Sequence, residues 1–159
     1  MQDASLAATN REICVGIVDD HDAIRFAFRG VCEEYGLQFC GASDTVAGLL
    51  ALNPEHTCDV VVLDLSLADG SIITDNVKAI LQAGSQVLIF SIADKRAQVA
   101  SALKAGAAAL VRKSQSMDDL VKAIRLVALG VVVNNTETSA VIDADVVFKE
   151  QANLSPRER

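Results

Sequence analysis

Five residues combine side-chain type and position in a way that suits one chemistry: Asp19, Asp20, Asp64, Ser91 and Lys113. Each stands where an apolar run gives out into a polar stretch. Asp19 and Asp20 follow Ile13-Cys14-Val15-Gly16-Ile17-Val18, Asp64 follows Val60-Val61-Val62-Leu63, Ser91 follows Gln86 to Phe90, and Lys113 comes just after Ala107 to Val111. Three carboxylates crowded together raise one another's pKa unless a cation sits among them. With no His or Cys set at metal-ligand spacing, that cation is Mg²⁺ rather than zinc, an ion typically held by one or two carboxylates and phosphate oxygens. Once two carboxylates are committed to the metal, the third is free to act as a nucleophile, and a carboxylate attacking phosphorus gives an aspartyl phosphate. Asp64, alone on its strand, is the natural choice. Lys113 supplies a compact ammonium for one phosphoryl oxygen and the Ser91 hydroxyl bonds another. Singly, each residue has a plainer reading: an acidic helix start for Asp19-Asp20, a cap for Ser91, a solvated loop charge for Lys113. Four such coincidences at four strand ends favour the shared chemistry.

The elements that must position these groups follow from the hydrophobic pattern. Val60 to Leu63 is too short for a helix and has no polar alternation, as expected of a strand buried on both faces of a parallel sheet. Ile13–Val18, a short Leu37–Cys40 closed by Gly41, Gln86–Phe90 and Ala107–Val111 are the other predicted strands. Helices are expected over Ala23–Tyr35 (stopped by Gly36), from a Ser43-Asp44 cap through Leu52 to Asn53-Pro54, over Ile72–Ala83, from Asp94 to Gly106, and over Met117–Leu129. The central strand is expected to start at Cys58 or Asp59. Five strand-then-helix units in succession require right-handed crossovers and a doubly wound parallel α/β sheet with helices on both faces. In such sheets ligands sit beyond the carboxyl ends of the strands, where all the candidate residues lie.

Composition sets the bounds. A chain of 159 residues fits one domain with room for an appendage. Its net charge of −7 argues against a broad basic surface for nucleic acid. No apolar run approaches the ~20 residues that cross a bilayer, and residues 1–12 lack a secretory pattern and read as a frayed start, so a cytoplasmic location is expected. Cys14, Cys32, Cys40 and Cys58 form no C-x-x-C pair and are expected to be reduced and structural. From Val131 the pattern changes, and residues 131–153 read as a linker containing a helix. Leu154-Ser155-Pro156-Arg157-Glu158-Arg159 carries a helix-start signal just as the sequence ends, so a longer protein is expected.

Residues 13–130 resemble the receiver domain of a two-component response regulator. The likeness rests on Val18-Asp19-Asp20-His21 after strand one, the apolar run ending in Asp64, Ser91 after strand four, and Lys113-Ser114 after strand five. It implies the flavodoxin-like (βα)5 fold with strand order 2-1-3-4-5 and Asp64 as the phosphoacceptor. Asp20, Asp64 and the Ser66 carbonyl would then bind Mg²⁺ directly, Asp19 would act mainly through water, and Ser91 and Lys113 would hold the phosphoryl group. The implied partners are a sensor histidine kinase and, on phosphorylation, a second copy of the chain. Residues 154–159 resemble the opening of a LuxR-type helix-turn-helix domain, so DNA binding would belong to a C-terminal domain missing here.

Several positions depart from the family pattern. Ala68 stands where Pro is usual and Ile72 where Gly is usual, which is expected to loosen or redirect the loop after Asp64. Asp22 replaces a frequent Pro, Leu110 replaces the strand-five aromatic associated with switching, and Ile92 stands where the family keeps Ala or Gly. A phosphorylation switch is therefore expected, rather than an enzyme acting on other molecules. The main alternative is a receiver-like interaction module that no longer uses phosphate. An Mg²⁺ phosphatase would need a second acid/base Asp soon after the nucleophile, and Ser66 offers none.

Overall fold

The strands of this protein are covered on both sides, which is why their sequences show no alternation. Val60, Val61, Val62 and Leu63 are all fully buried. Val60 and Val62 face one layer with Ile17, Leu88, Phe90 and Val111. Val61 and Leu63 face the other with Val18, Ile89 and Leu110. Each such side chain contributes roughly 1.5–3 kcal/mol on leaving water, so this four-residue strand anchors both cores.

The computed structural model describes residues 12–52, 57–92 and 96–132. Among them the elements alternate as β1 (Cys14–Val18), α1 (Asp22–Tyr35), β2 (Gln38–Ser43), α2 (Val46–Leu52), β3 (Val60–Leu63), α3 (Ile73–Gln82), β4 (Gln86–Ser91), α4 (Arg96–Ala105), β5 (Ala109–Arg112) and α5 (Met117–Ala128). The strands form one sheet in the order β2-β1-β3-β4-β5 with every neighbour parallel. This is the doubly wound fold expected from the sequence. Helices α1 and α5 cover one face through Phe28, Cys32, Leu120 and Ile124. Helices α2, α3 and α4 cover the other through Leu49, Val77, Ile80 and Val99.

Local departures from expectation have physical causes. The second strand does not close at Gly41 but runs to Ser43, with Gly41 inside it at a register irregularity opposite Val15 and Gly16. A Cβ on Gly41 would lie 2.9 Å from Leu52 Cδ1, so the glycine lets α2 approach the sheet rather than turning the chain. The central strand begins at Val60 because the Asp59 carboxylate takes the Cys14 amide at 2.8 Å. The fifth strand is displaced toward Arg112, starting at Ala109 rather than Ala107. The residue capping α2 is Thr45, not Ser43 or Asp44. Its Oγ1 accepts from the Gly48 amide at 2.9 Å, while the Ser43 hydroxyl accepts from the Thr45 amide at 3.2 Å. A side chain at Gly48 would collide with both hydroxyls, so the two caps and the glycine work as a set. The frayed start, the Asn53-Pro54 stop, the Asp94 helix start, the linker beyond residue 132 and the helix signal at 154–159 lie outside the described residues.

Thr45→Ala should lower the stability measured by urea unfolding by about 0.5–2 kcal/mol, the range for losing an N-cap. Asp44→Ala should stay within about 0.5 kcal/mol, as for an exposed residue without such a role. The reverse ranking would return the cap to Asp44.

Candidate functional site

The carboxyl ends of β1, β3 and β5 hold their charged residues through the last rungs of the sheet. The Asp19 amide donates to Ser43 O at 3.0 Å, the Asp64 amide to Val18 O at 3.0 Å, and the Lys113 amide to Ser91 O at 2.8 Å. Each residue thus lies one step past its strand, with its backbone still fixed by the neighbouring strand. The register Val18↔Leu63 sets Asp19 beside Asp64, and Ser91↔Arg112 sets Ser91 beside the approach to Lys113.

The side chains converge. Lys113 Nζ lies 2.7 Å from Asp19 Oδ2 and 3.7 Å from Asp64 Oδ2, and all three side chains are more than nine-tenths buried. The lysine also sits over the Phe90 ring, 5.7 Å from its centroid. Behind it, a cavity of about 90 Å³ between α1 and α5 is walled by Lys113 itself with Ile24, Phe28, Phe90 and Leu120, so the lysine crosses an apolar niche to reach the acids. His21, for which the sequence offered no role, turns back onto the pair. Asp19 Oδ1 accepts from the His21 amide at 2.9 Å and lies 2.7 Å from His21 Nδ1, which is also 3.4 Å from Asp20 Oδ1. Arg25 Nη1 donates to the Asp19 carbonyl at 2.5 Å and pairs with Asp22. The only signal for these contacts was the tight Asp-Asp-His-Asp run followed by an Arg one helical turn on.

One oxygen from each of Asp19, Asp20 and Asp64 and a ring nitrogen of His21 lie within 4.8 Å of one another. Asp19 Oδ2 is buried and makes no well-formed hydrogen bond, the ion pair with Lys113 being its polar contact. A hard divalent cation fits such a set, which is oxygen-rich and over-supplied with negative charge. Burial pushes the Asp64 carboxyl above the ordinary carboxylate range. Lys113 opposes that rise, while Asp19 and Asp20 add to it.

Ser91 is buried at the end of β4. Ser66 stands further into the loop after β3, half-buried, and its hydroxyl donates to Gln98 Oε1 on α4 at 3.4 Å. Asp19, Asp20, Asp64 and Lys113 thus form one cluster, with Ser91 on the same sheet edge and Ser66 on the α4 side. The loop itself is ordered by its own polar groups. Asp69 Oδ1 accepts from the Ser71 amide at 2.9 Å and from the Ser71 hydroxyl at 2.6 Å, and the buried Asn76 amide donates to Ser71 Oγ at 2.9 Å. Ile92, the residue after Ser91, is 69% exposed.

The sequence profile of the response regulator receiver domain matches residues 15–125. This chain belongs to that family. The receiver domain is 32% identical over 123 residues to the transcriptional regulatory protein UhpA of Salmonella typhimurium, covering 74% of this chain and 60% of UhpA. It is 29% identical over 120 residues to the response regulator GacA of Pseudomonas aeruginosa, covering 74% and 56%. The crystal structure of a LuxR-family two-component response regulator from Aurantimonas sp. SI85-9A1 superposes with a TM-score of 0.74 at 27% identity, over 86% of this chain and 99% of that one. The chain spans little more than half the length of the curated relatives it matches. Family and structural likeness place it among LuxR-type receiver domains, signalling rather than catalytic proteins. Among the described residues no helix is long and apolar enough to cross a membrane.

The raised Asp64 pKa has a stability consequence. The fold favours the protonated acid, so Asp64's contribution is complete below the ordinary carboxylate range and is lost as pH rises through the raised value. In metal-free buffer at neutral pH, Asp64→Asn should therefore be more stable to urea than the wild type. The gap should close as pH falls below the ordinary carboxylate range. A variant no more stable than wild type at neutral pH would show that Lys113 already compensates the charge.

Proposed function

We propose that this receiver domain accepts a phosphoryl group on Asp64 from the phosphohistidine of a sensor kinase in the cytoplasm. Phosphorylation would control dimerisation and DNA binding of a transcriptional regulator. The observation that carries this reading is the buried Lys113 ammonium held between Asp19 and Asp64. In the transfer, an Asp64 oxygen attacks phosphorus, the new P–O bond forms as the P–N bond to histidine breaks, and the leaving imidazole takes up a proton. Lys113 neutralises charge on a phosphoryl oxygen and Ser91 bonds another, so positioning and electrostatics supply the acceleration. Asp19, Asp20, Asp64 and the Ser66 carbonyl would hold Mg²⁺, which supplies the further positive charge that three carboxylates and one lysine leave wanting. Asp19, already committed to Lys113 and His21, suits a water-mediated role, while the more exposed Asp20 suits direct ligation. DNA binding is assigned to a C-terminal domain outside this chain, since a net charge of −7 does not suit a phosphate backbone.

Incubated with Mg²⁺ and acetyl phosphate, the protein should gain one phosphoryl group at Asp64, stable in acid and labile in base, as read by intact mass and peptide mapping. Asp64→Asn should abolish labelling and Lys113→Ala should slow it severely, with the fold intact by circular dichroism. Phosphate on another residue would overturn the assignment to Asp64, and no phosphate at all would favour a phosphate-independent interaction module. Ile92 tests the rim: a branched side chain at the mouth should slow both donor and water entry, so Ile92→Ala should speed phosphorylation and decay together. A misplacement near 1 Å can cost of the order of a hundredfold in rate. Unchanged rates would make Ile92 a tolerated surface residue.

A further inference from the structure

The face of the sheet covered by α3 and α4 carries a groove that the chemistry at Asp64 leaves unused. It lies between those two helices, encloses about 260 Å³, and is lined by Thr74 and Lys78 of α3 and by Ser101, Lys104 and Ala105 of α4. Thr74 and Lys78 stand one helical turn apart, as do Ser101 and Lys104, so each helix brings one hydroxyl and one ammonium to the groove. The helices that carry them are held firmly. Val77 and Ile80 of α3 and Val99 and Ala102 of α4 are buried in one core. Just past α4, Gly106 lets the two helices approach, since a Cβ there would stand 2.7 Å from Leu81 Cδ1 of α3.

The polar groups of this groove are unpartnered. Among the described residues, no carboxylate pairs with Lys78 or Lys104, and no hydrogen bond engages the half-buried Thr74 and Ser101 side chains. Lys104 has a plainer use, in the last turn of α4, where a cation suits the helix dipole. Lys78 has none of that kind. It lies mid-helix, one turn on from the exposed Asp75, and the ion pair that such spacing allows is not made. Two ammoniums that share a groove without an anion repel each other. In a chain with a net charge of −7, their meeting unpaired is not what composition alone would produce.

We propose that the groove between α3 and α4 binds a phosphate group, carried by a small phosphomonoester or as the free anion. A tetrahedral anion with several oxygens suits two point-charge donors and two hydroxyls set around it. A planar carboxylate is matched better by the fork of an arginine, and no arginine is among the residues lining the groove. The volume lies just under the roughly 300–1,000 Å³ of ordinary small-molecule pockets, so the ligand is compact rather than a dinucleotide. The start of α3 adds to the attraction: Thr74 is in its first turn, and Ile72 at the cap offers no side-chain hydrogen bond to the first amides. None of the lining residues belongs to the cluster of Asp19, Asp20, Asp64 and Lys113, so binding here needs no Mg²⁺.

The test uses the full 159-residue chain at low salt with EDTA, which keeps Mg²⁺ from the acidic cluster. Proton–nitrogen correlation spectra are followed during titration with sodium phosphate, with glycerol phosphate and, as a planar dianion, with succinate. Both phosphate probes should give saturable shifts at the amides of Thr74, Lys78, Ser101 and Lys104, and succinate should bind more weakly. Tighter binding of glycerol phosphate would identify an ester as the ligand, and equal or tighter binding of phosphate the free anion. Lys78→Ala and Lys104→Ala should each weaken binding by at least about fivefold, the scale of one solvent-exposed charge-assisted hydrogen bond. Lys122→Ala, which removes an exposed charge on α5, should leave it unchanged. Shifts confined to the surroundings of Asp64, an equal loss in Lys122→Ala, an equal response to succinate, preference for a glutamate-rich peptide over both phosphate probes, or no saturable shift would each overturn the assignment.

Discussion

The Lys113 ammonium, buried against Asp19 and facing Asp64, is the interaction on which the rest of the site depends. A charge taken out of water is tolerated only when paired, and removing one partner of a buried pair typically costs about 3–5 kcal/mol because the other is left uncompensated. One lysine cannot balance three carboxylates. Asp64 shows the imbalance as a raised pKa, caused first by burial and then by its acidic neighbours against the pull of Lys113. A site in this condition favours whatever brings positive charge to the acids, or whatever converts one acid into an ester whose charge lies further out. The same electrostatics favour a cation among these acids and suit Asp64 to the role proposed for it.

Much of this was legible in the sequence because a parallel sheet imposes two strong patterns. Strands buried on both faces must be uninterrupted apolar runs, and their carboxyl ends must share one edge, so residues as far apart as Asp19, Asp64 and Lys113 could be placed together before any coordinate was known. Edge features were less legible. β2 reaches Ser43 because Gly41 serves helix packing, and nothing local distinguishes such a glycine from a turn. The Thr45 cap was hidden among three consecutive capping residue types, of which geometry selects one. His21 could not be assigned because its side chain folds back by two residues, a local contact that periodicity does not report. The place of Cys58 was least legible: its sulfur fills the space left by the missing side chain at Gly16, on a neighbouring strand, which no spacing in the sequence reports.

The loop after Asp64 shows how a family device can be replaced. Without Pro at Ala68 or Gly at Ile72, backbone restriction cannot come from those residues, and a loosened or redirected loop was the expectation. Here Leu65 and Leu67 are buried at the near end and Ile73 at the far end, while Asp69, Ser71 and Asn76 are linked by hydrogen bonds between them. Gly70, with φ at +77°, supplies the left-handed residue, and its amide donates to Leu67 O at 3.2 Å. Pro acts by narrowing the unfolded ensemble. The polar chain acts in the folded state, and Asn76 ties it to the buried side of α3.

Leu110 bears on how a change at Asp64 could leave the site. It is buried on the face covered by α3 and α4, paired in register with Ile89. An aliphatic side chain packed in a core has no ring to swing between buried and exposed rotamers, so a rotamer switch of that kind is not built into this strand. What does connect the site to the sheet is backbone: Lys113 is bonded through its amide to Ser91 O at 2.8 Å, and Asp64 through its amide to Val18 O at 3.0 Å. A displacement of Lys113 toward a group on Asp64 is therefore shared at once with Ser91 and the end of β4. On β4 the next residue is the exposed Ile92, and beyond Lys113 the loop into α5 is pinned by Gln115, whose Oε1 accepts the Arg112 amide at 2.9 Å. What links Asp64's neighbourhood to the surface in this chain is backbone hydrogen bonding at the paired ends of β4 and β5 rather than the rotamer of one side chain.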